Sequence, residues 1–249
     1  METLSTNTAT WFSTWFDSPY YHILYKNRDE REAKAFIDRL STYLALSPTE
    51  QILDVACGRG RHARMLHDKG FCVTGIDLAP HSIAYASAYA DERLQFFVHD
   101  MREVFRPEGF DVVLNLFTSF GYFDTEAENL EAIQAMAANL KPQGRLVIDF
   151  LNPTVVIASL QPIQQKTVEG ITFHLHKRYE AGYIVKDIRF EDQGQTYHFQ
   201  ERVRAINQAT FERYFEAAGL QLKAVYGDYA FAPYVAEASE RLIFITQKA

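Results

Sequence analysis

The sequence predicts an α/β fold built on a mostly parallel sheet, and three observations carry that reading. Strand-like apolar runs alternate with helix-period segments from about residue 51 to residue 150, a pattern that implies parallel strands joined by right-handed crossovers. A glycine-rich turn joins the first strand to the helix after it, in Ile52-Leu53-Asp54-Val55-Ala56-Cys57-Gly58-Arg59-Gly60-Arg61-His62-Ala63. Polar residues fall where successive strands end, at Asp54, Asp77, Asp100 and Asn115. Ligands on such sheets sit at the carboxyl ends of the strands.

Period and punctuation give the elements in order. An aromatic segment from Trp11 to Tyr25 leads to a helix from Arg28 to Leu44, with Ala33, Phe36, Ile37 and Leu40 on one face. Next come helix 60–69, strand 71–76, helix 80–90, strands 94–98 and 110–115, helix 124–139 and strand 145–150. After Asn152-Pro153 the period changes to two. Ile171 to Tyr179, Tyr183 to Phe190 and Thr196 to Ile206 read as three strands joined by turns at Ala181-Gly182 and at 191–194. That is an antiparallel meander inserted after the fifth strand. A helix from Ala209 to Ala218 stops at Gly219, and strands 220–226 and 241–246 close the chain. The expected division is 1–50, an N-terminal aromatic segment and helix; 51–152 with 207–249, a core; and 153–206, an inserted cap or interface subdomain.

A chain of 249 residues that is 47% apolar can bury a full core. Its net charge of −7, with no basic block, argues against a nucleic-acid partner held through phosphates. Its two cysteines, Cys57 and Cys72, show neither metal-ligand nor disulfide spacing, which fits a reducing cytoplasm. No metal is expected. Met1 to Thr10 is polar, and neither a leader nor a membrane-length apolar run is evident.

Gly58 and Gly60 let the chain turn sharply and let a ligand lie on the main chain. The pattern Gly58-x-Gly60-x-x-Ala63 with Asp77 also fits a dinucleotide fingerprint. The neighbouring residues favour S-adenosylmethionine over a nicotinamide dinucleotide. Asp54, ahead of the glycines, suits an amino group and repels a pyrophosphate. Asp77 ends the second strand, where a carboxylate takes ribose hydroxyls; its rival role is a helix cap before Pro80. Asp100 with Met101 follows the third strand and suits an adenine amino group and ring, the rival being a cap on the next turn.

On these motifs the chain resembles the class I S-adenosylmethionine-dependent methyltransferases, over roughly Gln51 to Asn152 and again from Ala209 onward. Asp54 to Gly60 stands for the family's first motif, Gly75-Ile76-Asp77-Leu78 for the ribose site and His99-Asp100-Met101-Arg102 for the adenine site. Ala56 stands where most members carry glycine. The run from Leu114 to Phe123 resembles a subgroup of bacterial small-molecule methyltransferases. The resemblance implies a Rossmann-like, doubly wound, mostly parallel seven-stranded sheet, with the last two strands as a reversed hairpin and the antiparallel β meander inserted. It also implies S-adenosyl-L-methionine as cofactor, held by Asp54, Ala56, Cys57, Gly58, Gly60, Asp77, Leu78, Asp100, Met101, Asn115, Leu116 and Tyr25.

The expected reaction is methyl transfer to an N, O or C atom of a small molecule. The alternatives are an RNA or protein methyltransferase, or a module that binds S-adenosylmethionine without turnover. The Asn/Asp-Pro-Pro-Tyr/Phe signature of nucleic-acid amino-methyltransferases is replaced here by Asn115-Leu116-Phe117-Thr118. No catalytic acid or base is assigned, since placement and desolvation suffice for many such reactions. Tyr25, Phe117 and Tyr122 are expected to line the site, and the aromatics from Tyr226 to Tyr234 to border its mouth. Arg61 and His62 read as first-turn helix residues facing solvent or neighbours, and Cys57 as a small filler. His174, His176 and Arg178 share one strand face, either over the acceptor or as a solvated outer surface. A homodimer is compatible with the meander as an interface.

Overall fold

A computed structural model describes residues 10–26 and 30–249, so residues 1–9 and the expected helix start at Arg28 lie outside it. Its elements are α1 (Trp11–Phe16), α2 (Pro19–Leu24), α3 (Glu30–Tyr43), β1 (Gln51–Val55), α4 (Arg61–Asp68), β2 (Cys72–Asp77), α5 (Pro80–Ser87), β3 (Leu94–Val98) and β4 (Phe110–Asn115). They continue with α6 (Glu126–Asn139), β5 (Leu140–Leu151), α7 (Pro153–Ala158), β6 (Ile163–Val168), β7 (Ile171–Glu180), β8 (Tyr183–Asp192) and β9 (Gln195–Arg204). The chain ends with α8 (Gln208–Ala217), β10 (Leu220–Tyr226) and β11 (Arg241–Lys248).

Seven strands form one sheet in the order β10-β11-β5-β4-β1-β2-β3. Strands β1 to β5 run parallel, and β11 is antiparallel both to β5 and to β10. Each face is covered. On one side Ile133 and Met136 of α6 and Phe211 and Phe215 of α8 bury against Leu53, Val113 and Ile148. On the other, Phe36, Ile37 and Leu40 of α3, Leu66 of α4 and Ile83 of α5 bury against Ile52, Val73 and Val147. Parallel strands buried on both faces need near-continuous apolar runs, and β1 and β4 have them. The chain leaves β1 in one direction along the sheet and returns through β4 in the other. The crevice between those two carboxyl ends is the topological switch point.

Four strands form the second sheet, in the order β6-β7-β8-β9. Its three turns, Glu169-Gly170, Ala181-Gly182 and Gln193-Gly194, hold both central residues at positive φ, the two-residue hairpin that matches strand twist. One strand more than expected is present, because β6 is a polar edge strand in which Gln164, Gln165 and Lys166 mask any alternation. The aromatic segment also folds further than expected, into α1 and α2, capped by Thr10 and Ser18. Those two short helices bury Trp15 and Leu24 against Phe173, Leu175, Ile188 and Phe190 of the second sheet. The inserted sheet thus carries the N-terminal helices on its inner face. Among the described residues no helix is long and apolar enough to cross a membrane.

Candidate active site

Strand register builds a staircase of carboxylates. Val55 pairs with Ile76, so Asp77 stands one step beyond the end of β1; Asp77 pairs with Val98, so Asp100 follows just past β3. A cavity of about 260 Å3 opens over these ends, close to the lower end of small-molecule sites. Of the residues expected at the site, Asp54, Ala56, Cys57, Gly58, Asp77, Leu78, Asp100, Met101, Leu116 and Tyr25 line it, as do Phe117 and Tyr122.

Asp54 is 1% exposed, and its Oδ2 has no hydrogen-bond partner. Burial, and then the neighbouring Asp77 charge, push its carboxyl up to about 7, against a weaker pull from the Ala63 N–H and Arg61. An orphaned buried carboxylate oxygen beside a cavity suits an incoming N–H donor or cation. Asp77 uses both oxygens on backbone: Oδ2 accepts from Gly58 N–H at 2.7 Å and Oδ1 from Ala79 N–H at 2.9 Å. Burial raises its carboxyl, although those N–H groups pull it down. Asp100 is clamped by Arg102, whose Nη2 lies 2.6 Å from Oδ2, and Arg102 in turn reaches Glu128 at 2.8 Å. Burial works to raise Asp100, yet the Arg102 bonds and charge hold it below the ordinary carboxylate value.

The turn after β1 is made of left-handed residues: Ala56 at φ 59, Gly58 at φ 55 and Gly60 at φ 73. A Cβ on Gly58 meets nothing within 4 Å, which leaves the main chain open to a ligand. Gly60 is different and does not line the cavity. A Cβ there would sit 2.6 Å from the Phe96 ring, so this glycine serves the packing of α4 on β3. Asn115 is also withdrawn from the site. It is fully buried, and its amide donates to Val55 O at 3.2 Å and Ser119 O at 3.1 Å, tying the ends of β1 and β4 together. Cys57 is buried, and its thiol is pushed well up by that burial and then by Asp54 and Asp77, which disfavours the nucleophilic thiolate.

After β4 the chain takes a strained path, with Phe117 at φ 57 and Thr118 at φ 59. Asp149, fully buried at the end of β5, holds both residues. Its Oδ2 accepts the Phe117 N–H at 2.8 Å and its backbone oxygen accepts the Thr118 N–H at 2.9 Å. Arg241 Nε donates to Asp149 Oδ1 at 2.8 Å, and Arg241 Nη2 reaches the Thr118 hydroxyl at 3.0 Å. Phe117 then stacks on His62 at 4.6 Å and on Tyr229 at 5.3 Å. Arg61 and His62 line the cavity rather than facing solvent. Arg61 Nη2 lies 3.1 Å from His62 Nε2, so the two side chains hold each other against the cavity. Tyr226, Tyr229, Phe231 and Tyr234 do not border the mouth; Tyr229 backs Phe117 from behind.

The remaining wall comes from α1 and α2: Phe12, Phe16, Tyr21 and His22 line the cavity with Tyr25. Sequence reasoning missed the first four, although the spacings 12/16 and 21/25 put each pair on one helix face. No residue of the inserted sheet lines the cavity. Of the two readings of the His174, His176 and Arg178 face, the solvated outer surface is the one that agrees with this arrangement. His174 and His176 are exposed on the outer surface, and Arg178 is paired with Asp187 and Glu180, because the inner face is taken by Phe173 and Leu175 under the N-terminal helices. Among the described residues no cluster of side chains suits a metal ion.

Comparison with known proteins agrees with this geometry. The profile described as "Methyltransferase domain" matches residues 52–144. The putative methyltransferase YqeM of Bacillus subtilis is 30% identical over 233 residues, covering 88% of this chain and 94% of that protein. A Streptomyces fradiae dTDP-3-amino-3,6-dideoxy-alpha-D-glucopyranose N,N-dimethyltransferase is 28% identical, covering 81% of this chain and 80% of that protein. In fold, an S-adenosylmethionine-dependent methyltransferase of Clostridium acetobutylicum superposes with a TM-score of 0.77 at 17% identity, over 92% of this chain and 96% of that one. With a methyltransferase profile on its glycine turn and strand ends, and a relative of this identity along most of its length, the chain belongs to the S-adenosylmethionine-dependent methyltransferases.

Proposed function

We propose that this enzyme methylates a small molecule, with an amine nitrogen favoured over oxygen or carbon. The observation that carries the reading is the cavity itself. It measures about 260 Å3, the scale of a small-molecule site, and Phe12, Phe16, Tyr21 and Tyr25 wall it over the strand ends. The amine preference is supported by the Streptomyces fradiae relative, whose name specifies an amino sugar.

The residues present fit the cofactor. The orphaned Asp54 Oδ2 suits its amino group, and the open face of Gly58 suits its close approach to the backbone. Asp77 is assigned to the ribose, Asp100 with Met101 to the adenine, and Ala56, Cys57, Leu78, Leu116 and Tyr25 to the surrounding wall. When bound, the sulfonium supplies an electrophilic methyl carbon. The chain's part is to align the acceptor, exclude water with its aromatic wall, and attract cationic groups through ring faces. Division of labour follows the sheets, with 51–152 and 207–249 holding the cofactor and 153–206 supporting the N-terminal wall. Two free thiols, Cys57 and Cys72, fit a reducing cytoplasm.

The test is incubation with methyl-labelled S-adenosylmethionine and a whole bacterial lysate, followed by mass spectrometry of its metabolites, RNA and protein. Label in a small amine is the expected result. Label confined to RNA or protein would overturn the proposal.

A further inference from the structure

We propose that the Glu201–Lys186 pair of the inserted sheet is a positioning device that fixes Tyr25 in the cavity wall. The inference rests on the reading that this cavity holds the cofactor. Lys186 and Glu201 are directly paired on β8 and β9, with side chains 21% and 13% exposed. One carboxylate gathers three donors from separate elements. Glu201 Oε1 accepts from Trp15 Nε1 of α1 at 2.8 Å and from the Tyr25 hydroxyl, at the end of α2, at 2.7 Å. Its Oε2 accepts from Lys186 Nζ at 2.6 Å, and Lys186 also donates to the Tyr25 oxygen at 2.5 Å. The Tyr25 hydroxyl is therefore held from both sides, as donor to Glu201 and as acceptor from Lys186. Burial acts to raise Glu201, but the Lys186 charge and these bonds keep it below the ordinary value.

Such a pair is a poor device for stability alone, since apolar residues of similar size fill buried sites as well. Its distinctive product is geometric. No residue from Ile163 to Arg204 lines the cavity, while Tyr25 does, so this hydroxyl is a polar link from the inserted sheet to the cavity wall, beside the apolar packing under Phe16 and Tyr21. Holding the ring before the ligand arrives removes the ordering cost from binding.

The test compares two charge-neutral double variants. Glu201→Gln/Lys186→Met keeps an acceptor for Tyr25 and Trp15; Glu201→Met/Lys186→Met removes it. S-adenosylhomocysteine affinity is measured by calorimetry alongside thermal unfolding and tryptophan emission, which reports α1 because both tryptophans lie there. The first variant, which keeps the acceptor but loses the Lys186 donor, is expected to bind about two- to threefold more weakly than wild type, and the second about fivefold or more weakly, the scale of one lost hydrogen bond. Tyr25→Phe, which deletes one hydroxyl and leaves the fold, is expected to match the second. Equal, wild-type affinity in Tyr25→Phe overturns the proposal, whether or not the double variants fold. Asp54→Asn/Asp77→Ala is the control on the underlying reading: if it too binds normally, the cavity is not the cofactor site; if it alone loses binding, only the positioning role fails.

Discussion

Asp77 Oδ2 accepts the Gly58 N–H at 2.7 Å, so the carboxylate that ends β2 holds the glycine turn that follows β1. The two roles weighed for Asp77, cap and ligand, are not exclusive. Its other oxygen accepts from Ala79 at the start of α5. A carboxylate offers about four lone-pair directions, so roughly two remain for a ligand in the cavity.

Asp77→Ala is therefore expected to act twice. Loss of charge-assisted bonds to a bound ribose should weaken S-adenosylhomocysteine binding about tenfold or more, and the orphaned Gly58 and Ala79 N–H groups should cost about 1–3 kcal/mol of stability. Calorimetry and urea unfolding separate the two. Reduced stability with unchanged affinity would leave Asp77 as a cap alone.

The Asp54 carboxyl, raised to about 7, gives a pH signature. Between its ordinary value of 3.8 and about 7 the folded state binds a proton that the unfolded state does not. Stability from this group therefore falls as pH rises through that window. Asp54→Asn should flatten the slope and stabilise the ligand-free protein above pH 7, by about a few kcal/mol at most. Affinity for S-adenosylhomocysteine should move the other way, rising as Asp54 ionises, and the asparagine variant should lose that rise. A variant that binds with the wild-type pH profile would detach Asp54 from the ligand.

Gly58 and Gly60 should fail differently when replaced by alanine. Both have positive φ, which costs an alanine about 1–2 kcal/mol. Gly58→Ala should keep the fold and block the ligand, because its Cβ enters open space. Gly60→Ala meets the Phe96 ring at 2.6 Å and should add about 1–3 kcal/mol of overpacking. Thermal unfolding ranks the two; a Gly58→Ala protein with full affinity would contradict the assignment.

The alternation into parallel strands and the three acidic strand ends were legible because buried parallel strands and glycine turns leave local marks in the sequence. Asn115 and Gly60 stand apart from the cavity lining: local sequence located the strand end and the turn, but not that the Asn115 amide ties β1 to β4 or that Gly60 packs on Phe96. The wall from α1 and α2 was illegible because Phe16 and Tyr21 meet the cavity through packing on a sheet more than a hundred residues away, and Phe12 through packing on Phe123. Asp149 was hidden too. Nothing local announces that its partner is Arg241, 92 residues on.

Asp149→Ala should therefore be among the most damaging single changes. It strands the Arg241 guanidinium and releases Phe117 and Thr118 from their left-handed conformations. Breaking one side of a buried pair costs about 3–5 kcal/mol; urea unfolding should show a loss of that order. A loss below about 1 kcal/mol, typical of an exposed pair, would remove Asp149 from its bracing role.

The central claim is that the cavity over Asp54, Gly58 and Asp77 is where S-adenosylmethionine binds. Calorimetric titration of S-adenosylhomocysteine into wild type and into Asp54→Asn/Asp77→Ala tests it most directly. The account predicts one site per chain at about micromolar affinity, roughly −8 kcal/mol, lost in the double variant, with NADH silent in both. Binding that survives the double variant, or heat from NADH alone, would contradict it.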